Sequence, residues 1–309
     1  MGAQLRVYRR RIRSVQSTKK ITKAMELIAA SRIVKAQARM KAARPYASEL
    51  TKALAALGNN ASLKHPMLTG VESPRRAGIL LITSDRGLAG GYNANAIKLA
   101  NQLAASLERD GKDVVRYVIG RKGTGYYNFR RIELAGSWTG FSEQPNFADA
   151  RGATETVVGA LTATSEGEYD GRPGIDELHV VFTRFVNSVS QSPVAVLVSP
   201  VRDAAEEATE QAKDEGPQPA YEFEPEPELL IAALLPRYIS ARIYSALLES
   251  ATSESAARRR AMKSASDNAT ELIRTYTRLA NQARQAEITQ EISEIVGGAD
   301  ALAAAGSEQ

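Results

Sequence analysis

The chain has 309 residues, 43% hydrophobic and 24% charged, with 40 Lys and Arg against 35 Asp and Glu. It has no cysteine and only two histidines, His65 and His179. Disulfides, thiolate catalysis and cysteine metal sites are therefore excluded, and a His-rich metal site or a Ser-His-Asp arrangement is disfavoured. One Trp and 6% aromatics suit long Ala-rich helices better than a compact globule, and the length suggests about two domains.

No apolar run approaches the ~18 to 20 residues that a membrane-spanning helix needs. The basic N-terminus is not followed by an apolar stretch, so it does not read as a secretory signal. Met1-Gly2 begins like a myristoylation site, but Arg6 stands where that motif wants Ser or Thr. The chain reads as cytoplasmic.

In chain order, residues 1–60 read as one helix. Within residues 1–44, thirteen basic residues face a single acid, Glu26. Leu5, Tyr8, Ile12 and Val15, then Ala29, Ile33, Ala36, Met40, Ala43, Ala47, Leu50, Leu54 and Leu57, recur in steps of three and four, which is a coiled-coil seam. Between them the seam positions are Lys19, Thr22 and Glu26, while Ile21, Met25 and Ile28 form an apolar stripe on another face. Either that stripe touches something other than the partner helix, or the register shifts locally. Pro45 predicts a kink or a joint, and Gly58-Asn59-Asn60 a stop.

Residues 61–228 read as an inserted α/β domain. Strands are predicted at 77–83, 114–119, 178–185 and 194–198, and helices at 93–109 and 147–164. Residues 165–176 are polar and acidic and read as an exposed loop. Residues 203–228 carry ten acids, one base (Lys213) and four prolines, and read as an acidic linker.

Residues 229–309 read as a second long helix. Its seam is Met262, Ala265, Ala269, Leu272, Tyr276, Leu279, Ala283 and Ala286, continued upstream by Ala241, Tyr244, Leu248 and Ala251. The frame then shifts to Ile288, Ile292, Ile295 and Val296. Two apolar-striped helices at opposite chain ends most simply pair antiparallel.

Two glycine-bearing loops each follow a strand, Ser84-Asp85-Arg86-Gly87-Leu88-Ala89-Gly90-Gly91 and Gly120-Arg121-Lys122-Gly123, as phosphate loops do. Neither has the dinucleotide or Walker pattern, so a turn needing positive φ is the simpler reading. A nucleotide-handling α/β enzyme remains one alternative. A nucleic-acid-binding coiled coil is another, since the basic N-terminal helix would give sequence-blind affinity, although only Tyr8 and Tyr46 interleave with its charges. An acidic protein partner is the rival explanation of that charge, to which Arg258-Arg259-Arg260 would add.

Three motifs carry a resemblance. Ile21-Thr22-Lys23-Ala24-Met25-Glu26 with Ala29-Ala30-Ser31, the loop of residues 84–91 with Asn93, and residues 288–299 are similar to signatures of the γ-subunit family of bacterial F-type ATP synthases. The likeness covers the whole chain, and the Ala- and Arg-rich composition suggests a high-GC, actinobacterial type. The family usually has Cys where Ala89 stands, and its loop at 165–176 is shorter.

The resemblance implies an α/β fold with a Rossmann-like central domain, plus an antiparallel coiled coil of the two terminal helices. It implies a central rotor shaft with no catalytic, cofactor or metal site. The coiled coil would enter an α3β3 hexamer, and the globular part would sit on ε and the membrane-embedded c-ring. Rotation would change the β-subunit sites that make or hydrolyse ATP. The location implied is peripheral, on the cytoplasmic face of the bacterial cell membrane. Contact residues expected on these grounds are Lys20, Lys23 and Met25 in one belt, and Arg284, Gln285, Ile288, Thr289 and Glu291 in the other.

Overall fold

The computed structural model describes residues 3–58, 65–201 and 226–306. Asn59-Asn60 and most of the acidic linker, residues 203–225, lie outside the described residues. The chain divides into two compact units: Met1–Ile28 with Ala261–Gln309, and Ala29–Arg260. The helix α1 (Ala3–Gly58) and the final helix α6 (Pro227–Gly306) contribute to both.

In the first unit the two helices pair antiparallel. Tyr8 packs against Tyr276 with ring centroids 6.4 Å apart and tilted by 31°, Arg11 lies over the Tyr276 ring, and Thr22 Oγ1 lies 2.7 Å from Ser266 Oγ. The α1 seam runs without a register shift: Leu5 is buried, Tyr8, Ile12, Val15 and Lys19 are half-buried, and Thr22 is 8% exposed. Ile21, Leu27 and Ile28 are exposed. The polar residues thus face the partner helix and the apolar ones face outward.

The seam expected on α6 needs correction at two positions. Met262 and Ala269 are buried, and Ala265, Tyr276, Leu279 and Ala283 are half-buried. Leu272 is 45% exposed and Ala286 is exposed, and the neighbouring Ile273 and Glu287 are turned in instead. Beside Ala265 and Leu279, Ser266 and Ala280 are the more deeply buried members of each pair. A frame with Ala265 inward would bury Thr22 against a methyl group, whereas Ser266 gives it a hydrogen-bonding partner. Beyond Glu287 every residue through Ala299 is exposed, so no described residue of the unit covers this stretch of α6.

Pro45 does not end α1, which is one helix across it. The proline removes one backbone donor and leaves the Lys41 carbonyl unpaired. Both residues are exposed, so water can take that bond. Pro236 also lies inside α6; it is half-buried, but the carbonyl it frees belongs to the exposed Ala232.

The second unit holds a five-stranded sheet. Its strands are β1 (Arg76–Ile82), β2 (Asp113–Ile119), β3 (Gly136–Trp138), β6 (Glu177–Phe185) and β7 (Gln191–Ser199), in the order β3-β2-β1-β6-β7. The first four are parallel and β7 returns antiparallel from β6. The central strands are buried on both faces, which explains continuous apolar runs such as β1. Helices α3 (Tyr92–Arg109) and α4 (Arg121–Phe129) cover one face through Ile79, Leu81, Ala96, Ala100 and Tyr127. Helix α5 (Phe147–Ala163), the end of α1 and the start of α6 cover the other through Leu54, Leu80, Val157, Leu178, Leu235 and Ile239. Two short elements were not foreseen beside α4 and β3: helix α2 (Pro66–Thr69), capped by His65, and a hairpin of β4 (Glu168–Tyr169) and β5 (Arg172–Pro173).

That hairpin corrects the reading of residues 165–176 as an exposed loop. Its tip is exposed, but Ile175 is fully buried and the Asp176 carboxylate accepts from the backbone amides of Arg75, Arg76 and Ser165. Burial alone would push that carboxyl up; the three amides outweigh it and hold it below the usual range. Tyr169 lies over Gly159 of α5, where a Cβ would meet its ring at 2.4 Å.

Thr22 and Ser266 supply the first prediction. Thr22→Ala or Ser266→Ala each leaves one buried hydroxyl unpaired and should cost about 1 to 2 kcal/mol, with the double variant less destabilised than the sum. Thermal unfolding of the four proteins by circular dichroism checks it; additive losses would show that the pair does not couple.

Candidate functional site

A dinucleotide fold places its ligand outside the carboxyl ends of the strands, where the strand order reverses. Here that point lies between β1 and β6, and the chain itself fills it. Helix α6 crosses this edge: the Tyr92 hydroxyl donates to the Ser250 carbonyl, the Glu249 carboxylate accepts from the Phe185 backbone, and Arg258 Nε donates to the Gly87 carbonyl at 3.4 Å. Residues 250–258 are buried without exception, including Thr252, Ser253, Glu254 and Ser255. Ala89 packs on Ala257 and Tyr92.

Amides at the start of α4 and after β3 are also committed. The Asp85 carboxylate accepts from Arg121 N at the start of α4 (3.1 Å), Gly140 N (2.8 Å) and Ser142 N (3.0 Å). It takes the place of an anion at that helix end. Gly120 has φ +102, and a Cβ there would lie 2.2 Å from the Thr83 carbonyl oxygen. Its glycine is thus required by the turn, as the simpler reading expected.

Arg258 is 5% exposed and is not part of a solvated basic cluster, as the sequence suggested. Its guanidinium meets Glu254 Oε1 at 2.6 Å and Glu143 Oε1 at 3.2 Å. Glu143 also pairs with Arg32 of α1 and Arg86. Burial pushes the Glu254 carboxyl up to about 7, and Arg258 offsets part of that rise. Arg259 and Arg260 are exposed; Arg260 bonds the Val189 carbonyl and Gln191 at the β6–β7 turn. Glu143 and Glu254 had no motif to mark them.

The expected contact residues all lie in the first unit. Lys20 and Lys23 are exposed, Lys23 holding Glu26 at 3.0 Å, and Met25 is half-buried. Arg284, Gln285, Ile288, Thr289 and Glu291 are exposed on α6, with the Thr289 hydroxyl donating to the Gln285 carbonyl. The two groups do not converge. Lys20 stands near the level of Ser266, so the second group lies about 27 to 38 Å further along the helix at 1.5 Å per residue. Sequence reasoning missed Leu27, which is exposed beside Ile28.

A family model described as ATP synthase matches residues 4–302. The ATP synthase gamma chain of Salinispora arenicola is 58% identical, and that of Streptomyces avermitilis 55%, each over the whole of both chains. The chain belongs to the ATP synthase γ-chain family. Among solved structures it is similar in fold to a chain of the Euglena gracilis mitochondrial ATP synthase, with TM-score 0.66 and 16% identity over 98% of this chain and 95% of that one. A chain of the Tetrahymena thermophila central stalk and c-ring gives TM-score 0.55 and 22% identity, over 80% and 99%.

As a γ chain it is the central rotor shaft of an F-type ATP synthase and a non-catalytic subunit of it. That membership displaces the nucleic-acid-binding and nucleotide-enzyme readings. It also gives sense to a Rossmann-like γ-chain sheet whose ligand edge is filled by the shaft helix.

Two outcomes test this edge. Gly120→Ala should cost about 1 to 3 kcal/mol, because the backbone must leave a left-handed conformation; denaturant unfolding measures it. Since the Glu254 pKa is raised by folding, its contribution to stability is fully present below the unfolded value and is lost as pH rises through about 7. Glu254→Gln should flatten the fall in melting temperature between about pH 4.5 and 7. An unchanged slope would show that Glu254 is not the titrating group.

Proposed function

We propose that this rotor works through two contact belts on its coiled coil, engaging an α3β3 hexamer. Lys20, Lys23 and Met25, with the neighbouring Ile21, Leu27 and Ile28, form the first. Arg284, Gln285, Ile288, Thr289 and Glu291 form the second, and the helix beyond Ile288 sits in an apolar sleeve. Residues 1–60 and 229–309 act as the shaft. Residues 61–228, with the loop at 165–176 and the linker at 203–228, act as the base on ε and the c-ring. The complex would hold this chain peripherally at the cytoplasmic face of the bacterial cell membrane; among the described residues no helix is long and apolar enough to cross it.

The observation that carries this reading is the outward apolar stripe at Ile21, Leu27 and Ile28. Shifting a catalytic site from mostly open to mostly closed needs differential contact of about 5.5 kcal/mol. Exposed ion pairs supply only about 0 to 1 kcal/mol each, so the lysines alone fall short. Covering an Ile or Leu side chain that is a little over half exposed contributes about 1 to 2 kcal/mol, so the three together supply most of it. Such contacts need no fixed angular geometry, which lets each orientation be left again. The lysines then steer acidic β segments and the apolar stripe discriminates between their conformations.

Ile21→Ser with Ile28→Ser should lower ATP-driven proton pumping relative to ATP hydrolysis in reconstituted complex, while Lys20→Gln should change that ratio little. The opposite ranking would assign the discrimination to charge. Deleting residues 288–309 should weaken coupling or assembly and leave hydrolysis at β in the hexamers that assemble, as measured on size-selected complex.

A further inference from the structure

Residues 250–258 of α6 read Ser-Ala-Thr-Ser-Glu-Ser-Ala-Ala-Arg and are all buried. Only Glu254 and Arg258 among them have long side chains. Helices resist sliding and turning when their ridges lie in a neighbour's grooves. Ala and Ser make shallow ridges, so at this level α6 is close to a smooth cylinder against the edge of the sheet. Glu254 and Arg258, one turn apart, are what can hold it there.

Their partners come from the segments after β1 and β3 and from α6 itself. Arg258 donates to the Arg86 carbonyl (3.4 Å) and the Gly87 carbonyl (3.3 Å) after β1, and pairs with Glu143 after β3 and Glu254 on its own helix. Glu143 passes the connection to Arg32 on α1. The chain of contacts thus runs from α6 through the loops of the sheet to α1. A buried ion pair of this kind is a poor source of net stability, because desolvation cancels most of its attraction, but its geometry is directional.

We propose that Arg258 is a positioning residue for torque transfer, clamping α1 and α6 together to the carboxyl edge of the sheet so that load on the α/β unit reaches both helices at once. This rests on the rotor role. A clamp differs from ordinary packing in what its loss does: the helices remain folded, yet they slip relative to the sheet under load.

The test uses the complete membrane complex in vesicles, with Arg258→Met, Arg258→Lys and Glu143→Gln in this chain. ATP hydrolysis and ATP-driven proton pumping are read on the same preparation. Arg258→Met should leave hydrolysis within about twofold and lower pumping per ATP by about threefold or more, with Arg258→Lys between it and the parent. Backbone hydrogen exchange at residues 85–91 and 141–144 should quicken by about tenfold. If Arg258→Met does not assemble, Glu143→Gln, in which Arg258 keeps Glu254 and both carbonyls, carries the same ratio test. An unchanged ratio of pumping to hydrolysis overturns the clamp, whatever happens to stability. Failure of the parent chain to give any coupled pumping would instead overturn the rotor assignment.

Discussion

Arg258 must be both charged and dry. A buried guanidinium is tolerable only where opposite charge and acceptors surround it. Here Glu254 and two backbone carbonyls accept from it, and Nη1, which has no hydrogen-bond partner, lies 3.2 Å from the Glu143 carboxylate as an ion pair. That requirement fixes much else: the Ser84 loop must present its carbonyls inward, residue 143 must be acidic, and α6 must cross the sheet at one height. The small residues between Ser250 and Ala257 follow from the same constraint, because a helix that lies this close to the carboxyl ends of strands has no room for larger side chains.

The same edge explains how a nucleotide-type sheet can serve a protein that is not an enzyme. Open parallel sheets offer exposed amides and helix N-termini at their carboxyl ends. In this chain Asp85 answers one set of amides with a carboxylate from within, and α6 covers the place where the strand order reverses. Features that would bind a ligand in another fold instead join elements of one chain. Fold alone therefore carried little information about function, and the occupied edge carried much more.

What could be read in the sequence follows physical scale. The central strands β1, β2 and β6 and the helices α3 and α5 stood out because burial on one or both faces imposes long patterns. Short elements did not. Helix α4 contains Gly123 and Gly125 and has little intrinsic helical preference, and β3 is three residues long, held by its neighbour β2. In the coiled coil, apolarity identified the seam but not its phase, because Ala265 and Ser266, or Leu272 and Ile273, are adjacent candidates and only the partner helix chooses between them. The proposed contact belts rest on unusual placements of charge and apolarity that the sequence shows; the Glu143–Arg258–Glu254 group had no such mark, since Glu143 is far from the other two in the chain and they match no local pattern.

Around Ile21 the coiled coil is turned inside out. Thr22 is buried against Ser266 and Lys19 faces the seam, while Ile21, Leu27 and Ile28 point away from it. A sequence selected only for a stable pair of helices would place these side chains the other way, since each of these half-covered Ile or Leu side chains forgoes about 1 to 2 kcal/mol of burial. One Thr–Ser hydrogen bond returns about 1 kcal/mol. The balance favours the inverted arrangement only if the outer stripe is covered by another surface for part of the time. On the proposed reading, that condition would be met by a partner that closes on the stripe and then releases it. Apolar contact outside the shaft would then offset the polar pairing within it, as two sides of one compromise.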